Sequence, residues 1–144
     1  MKKNFLIMIL LLTLILSMAF TIILYNNYHF RGDRFVTSVL TASTGKQEVD
    51  FSKYTDFKWD KAYIVGANID EMKKILGEGK NNSDYEPFEE QTRIIFIKND
   101  RPVAEAIFSD NQAWFSDHDI YFYSNTAVFN VEKSDTIFIF KYKS

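Results

Sequence analysis

The sequence predicts an α+β protein: an N-terminal transmembrane helix followed by a small antiparallel sheet, a meander of about five to six strands packed by one short helix. Three observations carry this. A charge-free apolar block stands near the N-terminus, one short segment holds a complete set of helix start and stop signals, and the remainder is a series of β-prone runs separated by turn residues. At 144 residues the chain has room for one domain. The expected organisation is a signal-anchor over 1–30, a stalk over 31–47 and an extracytoplasmic α+β domain over 48–144.

The block runs from Phe5 to Tyr25, 21 residues without a charge, with Thr13, Ser17, Thr21 and Tyr25 as its polar members. As a helix it rises roughly 31 Å, close to the hydrocarbon thickness of a bilayer. The hydroxyls of Thr13, Ser17 and Thr21 fall at i, i+4 and i+8, where each can bond back to a carbonyl of the preceding turn. A cleaved signal peptide is the competing reading, since Ser17-Met18-Ala19 resembles a small-x-small cleavage site. Cleavage there would leave Phe20-Thr21-Ile22-Ile23-Leu24-Tyr25 as an apolar new N-terminus, so an uncleaved anchor is expected. Lys2 and Lys3 precede the span, whereas Arg31 and Arg34 follow it with Asp33 between them, which places the N-terminus inside and the C-terminal domain outside. Tyr25 and Tyr28 suit an interfacial aromatic belt.

Residues 26–47 contain Asn-Asn, Arg-Gly-Asp and Thr-Ala-Ser-Thr-Gly, and read as a stalk with one irregular helical turn around 35–40. The helix of the domain is Ile69 to Leu76. Asn68 is its N-cap, Glu71 stands in the capping-box position, Asp70 adds favourable charge in the first turn, Lys73 and Lys74 fill the last turn, and Gly77 stops it. Ile69, Met72, Ile75 and Leu76 share one side, the face to be buried. Strands are expected over 58–65, 92–97, 102–108, 120–123, 126–132 and 136–142. Lys98-Asn99-Asp100-Arg101 reads as the tight turn of a hairpin.

Composition removes several chemistries. Without cysteine the chain has no disulfide, no thiolate metal site, no thiol nucleophile and no lipidated cysteine. The formal charge is −2, and the 15 basic and 19 acidic residues left after setting aside Lys2 and Lys3 make residues 31–144 net −4. That balance gives no electrostatic basis for nucleic-acid binding. Gly-x-Ser-x-Gly, Ser-x-x-Lys, phosphate-cradling and dinucleotide fingerprints are missing, so neither a catalytic residue nor a cofactor is assigned.

Three features remain as candidates. Asp117-His118-Asp119 offers alternating oxygen and nitrogen donors for a divalent ion, although its spacing fits neither a calcium loop nor a zinc motif. Asp84, Glu86, Glu89 and Glu90 form an acidic run with the composition of a loop, from which a glycosidase-like carboxylate pair could be drawn. Trp59-Asp60 pairs an aromatic ring with a carboxylate, the kind of pair that marks a recognition surface when exposed and a core Trp beside a turn when not.

The stretch from Val49 to Val65, with Thr55-Asp56-Phe57-Lys58-Trp59-Asp60-Lys61-Ala62-Tyr63 at its centre, resembles the Thr-Asp-Phe-x-Trp-Asp-x-x-Tyr pattern of an uncharacterised family of small membrane-anchored or exported proteins of Gram-positive bacteria. The likeness extends over about residues 49–108, through Ile75-Leu76-Gly77 and Arg93-Ile94-Ile95-Phe96-Ile97-Lys98-Asn99-Asp100. It departs at Gly66-Ala67-Asn68-Ile69, where a proline- and tyrosine-containing turn is expected. The resemblance implies an exported or tethered bacterial protein and transfers no catalytic residue. The functional expectation is therefore a non-catalytic, membrane-tethered interaction module, touching the bilayer through residues 5–25 and an envelope or protein partner through its sheet. A carboxylate-based envelope hydrolase, a divalent-cation-responsive sensor and a toxin-immunity protein are the alternatives.

Overall fold

The computed structural model describes residues 2–77 and 91–143. Its first element is a single helix, α1 (Lys2–Ser43), about 63 Å long. The apolar first half stands free, with Ile7 to Tyr25 exposed. It is long and apolar enough to cross a membrane, a property it shares with N-terminal signal sequences. Its hydroxyls bond within the helix as their spacing predicts: Thr13 donates to the Leu10 carbonyl at 2.9 Å, Ser17 to Leu14 at 2.8 Å and Thr21 to Ser17 at 2.9 Å.

The second half of α1 corrects the expected stalk. Residues 31–43 are helical, and Phe35, Val39 and Ser43 are buried at a spacing of four, the spacing of one helix face. Asn26, Asn27, Asp33, Arg34 and Ser38, polar residues that suggest a linker, are exposed. With the single turn of 35–40 extended both ways, the chain passes from its apolar segment into the domain without a break.

Eight strands follow among the described residues, in two four-stranded sheets. The first has the order β1 (Glu48–Asp50), β7 (Val128–Ser134), β8 (Ile137–Tyr142), β5 (Ala113–Phe115). The second has the order β4 (Arg101–Ser109), β3 (Gln91–Lys98), β2 (Lys61–Ile64), β6 (Ile120–Tyr123). The α+β class is as the sequence predicts, and the pairing is mostly antiparallel, but the simple meander is not observed. β2 lies between β3 and β6, and β5 joins β8 in parallel. The β3–β4 hairpin has its expected turn. Asn99 and Asp100 both take positive φ, 49° and 56°, the double left-handed conformation whose twist matches that of the flanking strands.

Both sheets and α1 share one aromatic core. Phe51, on a 3₁₀ turn (Phe51–Tyr54), stacks on Phe129 at 4.1 Å between ring centroids and meets Phe35, Phe115, Phe122 and Phe140 edge-on. It thereby touches α1 and four strands. The short helix α2 (Ile69–Leu76) lies on the other face of the second sheet, where Met72, Ile75 and Leu76 pack with Ile95 and Ile97.

α1 meets the second sheet along its edge strand, β4. Arg31 Nη1 donates to the Val103 carbonyl at 3.3 Å, and a Cβ placed on Gly32 would stand 1.7 Å from the Glu105 carbonyl oxygen. Only a glycine lets helix and strand come this close. Beside the contact Glu105, 9% exposed, pairs through Oε1 with Arg93 Nε at 2.9 Å and faces His29 Nδ1 at 3.9 Å through Oε2. A carboxylate this buried needs a cation such as Arg93 beside it.

Replacing Gly32 by Ala is expected to destabilise the domain by about 3 kcal/mol, since neither backbone can yield by the missing distance. Urea denaturation in detergent solution checks this as a lowered midpoint, with Ser38→Ala on the outward face as the neutral comparison.

Candidate interaction surface

Trp59 is 6% exposed, its ring edge-on to Phe96 and Phe122, and its indole N–H donates to Thr55 Oγ1 at 3.1 Å. Its hydrogen bond and its apolar surroundings are both internal, so it is a core residue. It also precedes β2 rather than lying in the strand expected over 58–65. Asp60 is exposed, but its carboxylate accepts from the Asn99 N–H at 2.8 Å and so ties the start of β2 to the β3–β4 turn.

The Asp117-His118-Asp119 triplet is likewise divided. Asp117 Oδ2 accepts from the Tyr142 N–H at 2.9 Å and from Ser116 Oγ at 3.0 Å. Asp119 turns away into the loop before α2. There Oδ1 accepts from Tyr63 Oη at 2.7 Å, Gly66 N at 3.0 Å and Asn68 N at 3.1 Å, while Oδ2 accepts from Ala67 N at 2.9 Å. Among the described residues no three His, Cys, Asp or Glu side chains are grouped to hold a metal ion. Desolvation alone would raise the Asp119 pKa, but the hydrogen bonds from Tyr63 and the three backbone N–H groups outweigh it and leave the carboxyl below its ordinary range. A general acid needs the opposite shift. The carboxylates of 84, 86, 89 and 90 lie outside the described residues.

Asp119 performs a task that the sequence suggests for Glu71. Asn68 caps α2 as expected, accepting from the Glu71 N–H at 3.1 Å, and Gly77 closes the helix with φ 88° and its N–H on the Lys73 carbonyl. In a capping box the Glu71 side chain would accept from the Asn68 N–H, but Asp119 takes that donor. Glu71 instead accepts a short hydrogen bond from the Tyr121 hydroxyl, which is the main reason its carboxyl is shifted downward. Burial, followed by the bonds to Asp119 and Glu71, pushes the Tyr63 and Tyr121 hydroxyls up in turn.

Exposed rings lie elsewhere, Tyr123 on β6 at 53% and Trp114 on β5. β5 buries Ala113 and Phe115 completely, so the alternation of a strand turns Trp114 outward, 49% exposed. β5 is also a sheet edge, hydrogen-bonded on one side to β8. The His118 ring stands edge-on to Trp114 at 6.0 Å between centroids. The result is an exposed indole and an imidazole ring side by side at the end strand of the first sheet. The signal in the sequence is weak, three residues of alternation in Ala113-Trp114-Phe115 with polar neighbours, and the strand is not anticipated there. The chain matches no family model, no curated protein and no solved structure.

Asp119→Asn is expected to lower stability by about 2 kcal/mol at neutral pH, the scale of hydrogen bonds to a charged acceptor at a solvent-accessible site. The folded pKa of Asp119 is depressed, so its contribution is present above the unfolded aspartate value near 4 and is lost as pH falls through the lower folded value. Melting temperature measured against pH should therefore fall less steeply below about pH 4 in Asp119→Asn than in the parent.

Proposed function

We propose that the chain is a non-catalytic interaction module of a bacterial cell envelope, tethered by α1 with its C-terminal domain outside the membrane, and that it binds a protein or envelope component beside β5. The observation that carries this reading is Trp114, a large ring held out from the end strand of the first sheet while the rest of its strand is core. A rigid exposed aromatic residue contributes much contact area for little lost freedom, and such residues dominate binding energies at interfaces. The apolar first half of α1 supports the tether, and Lys2 and Lys3 support the orientation. The resemblance to tethered proteins of Gram-positive bacteria agrees with this location.

Photo-crosslinking in intact cells, with the crosslinker at Gln112, tests the reading. A discrete partner is expected, and Trp114→Ala should reduce its capture at least about 10-fold, the effect of an aromatic hot spot, with the melting temperature nearly unchanged. Capture unaffected by Trp114→Ala, or turnover of an envelope substrate by the purified protein, would overturn it.

A further inference from the structure

The distance along α1 between its apolar segment and its first contact with the domain is short. Tyr25 ends the charge-free block, and Tyr28 and His29, three and four residues on, already lie against the second sheet. His29 faces Glu105 at 3.9 Å, and the buried Tyr28 hydroxyl is close enough to Glu105 and Arg93 to feel their charges. Gly32 touches the β4 backbone seven residues after Tyr25. These separations are about 4.5, 6 and 10.5 Å along a helix axis. The polar layer of a bilayer extends about 5–8 Å beyond each side of its hydrocarbon core. A helix that leaves the core at Tyr25 therefore meets β4 within the headgroups or just above them.

The seam cannot slide outward. Arg31 is held by the Val103 carbonyl, Arg34 by Asp56 at 2.6 Å, and Phe35 and Val39 are fixed in the core. On the outward face at the same level Phe30 is 56% exposed, with the Arg34 guanidinium over its ring at 4.6 Å. An exposed aromatic ring backed by a cation, one turn beyond an apolar span, is the composition of an interfacial anchor. Ile107, another exposed apolar residue at 37%, follows Ala106, whose Cα would stand 3.1 Å from a Cβ on Gly32.

We infer that the domain is seated directly on the lipid headgroups, with Phe30 of α1 and the β4 edge around Ile107 as the contact, and does not stand off the membrane on a stalk. The seat rests on the tether reading above and adds a second surface to it, one whose partner is the bilayer itself. It also places the opposite end of the domain in water. β7 runs past Gln47, whose carbonyl accepts from the Val131 N–H, toward Ser134, near the end of α1 and about 27 Å along the helix from Tyr25.

The chain contains no cysteine, so single spin labels can be placed without removing any. Leu16→Cys, Phe30→Cys, Ile107→Cys and Ser134→Cys, all at exposed positions, are labelled in the full chain in phosphatidylcholine–phosphatidylglycerol vesicles, and depth is read from relaxation by oxygen against a water-soluble nickel chelate. The expected order is Leu16 in hydrocarbon, Phe30 and Ile107 at headgroup depth, and Ser134 in water. A Leu16 label in hydrocarbon with Ile107 as water-exposed as Ser134 would overturn the seat and leave the tether standing. A Leu16 label in water would overturn the tether and the seat together. Broadening of the Ile107 amide resonance by a headgroup-labelled lipid reads the same contact in the unsubstituted protein, and no selective broadening there would also overturn the seat.

Discussion

The contact between Gly32 and the Glu105 carbonyl decides how the rest of this molecule is assembled. An edge strand presents unpaired carbonyls, and two alternate carbonyls of β4 are used by α1: Val103 accepts from Arg31, and Glu105 abuts the bare Cα of Gly32. A side chain at position 32 would hold the helix away, and the edge would stay open. With the helix in place, Phe35 and Val39, one and two turns further on, reach between the sheets.

The two sheets converge on the same point from the other side. Phe51 sits on a short 3₁₀ turn because Asp50 accepts from the Ser52 N–H, which breaks β1 and turns the ring inward. Its stack on Phe129 and edge contacts with Phe35, Phe115, Phe122 and Phe140 bind helix and both sheets into one cluster. Large rings suit this role because each covers much area with few rotatable bonds. The arrangement makes the second half of α1 part of the core.

The polar side chains with suggestive patterns serve the fold. Asp119 collects four donors at the entry to α2, Asp117 holds the end of β8, and Asp60 holds the β3–β4 turn. Asp117 and Asp119 are two residues apart in sequence, but their partners are on different elements, and the intervening positive φ of Asp119, 56°, turns the chain between them. The large apolar side chains that the domain and its helix seam leave exposed are Trp114 on the end strand of the first sheet, Tyr123 on β6, and Phe30 and Ile107 beside the seam.

Local order is legible in the amino-acid sequence. The apolar block, the Asn68 and Gly77 ends of α2, the Asn99-Asp100 turn and the two strands it joins are each specified by residues within a few positions of one another, and each is found where the sequence puts it. The stalk was not legible as a helix because its inward stripe, Gly32, Phe35, Val36, Val39, Leu40 and Ser43, begins with a glycine, ends with a serine and is flanked by β-branched and turn-forming polar residues. The place of Trp59 and Trp114 was not legible either. Both are tryptophans with a phenylalanine within two residues, and only the long-range packing of Phe96 and Phe122 on one, and its absence around the other, makes the first core and the second surface. The sequence by itself determined the α+β class, the apolar helix and the hairpin, since these depend on local spacing. Tertiary structure alone decided the two-sheet pairing, the docking of α1 and the exposed ring, since these depend on residues tens of positions apart, such as Gly32 and Glu105, coming into contact.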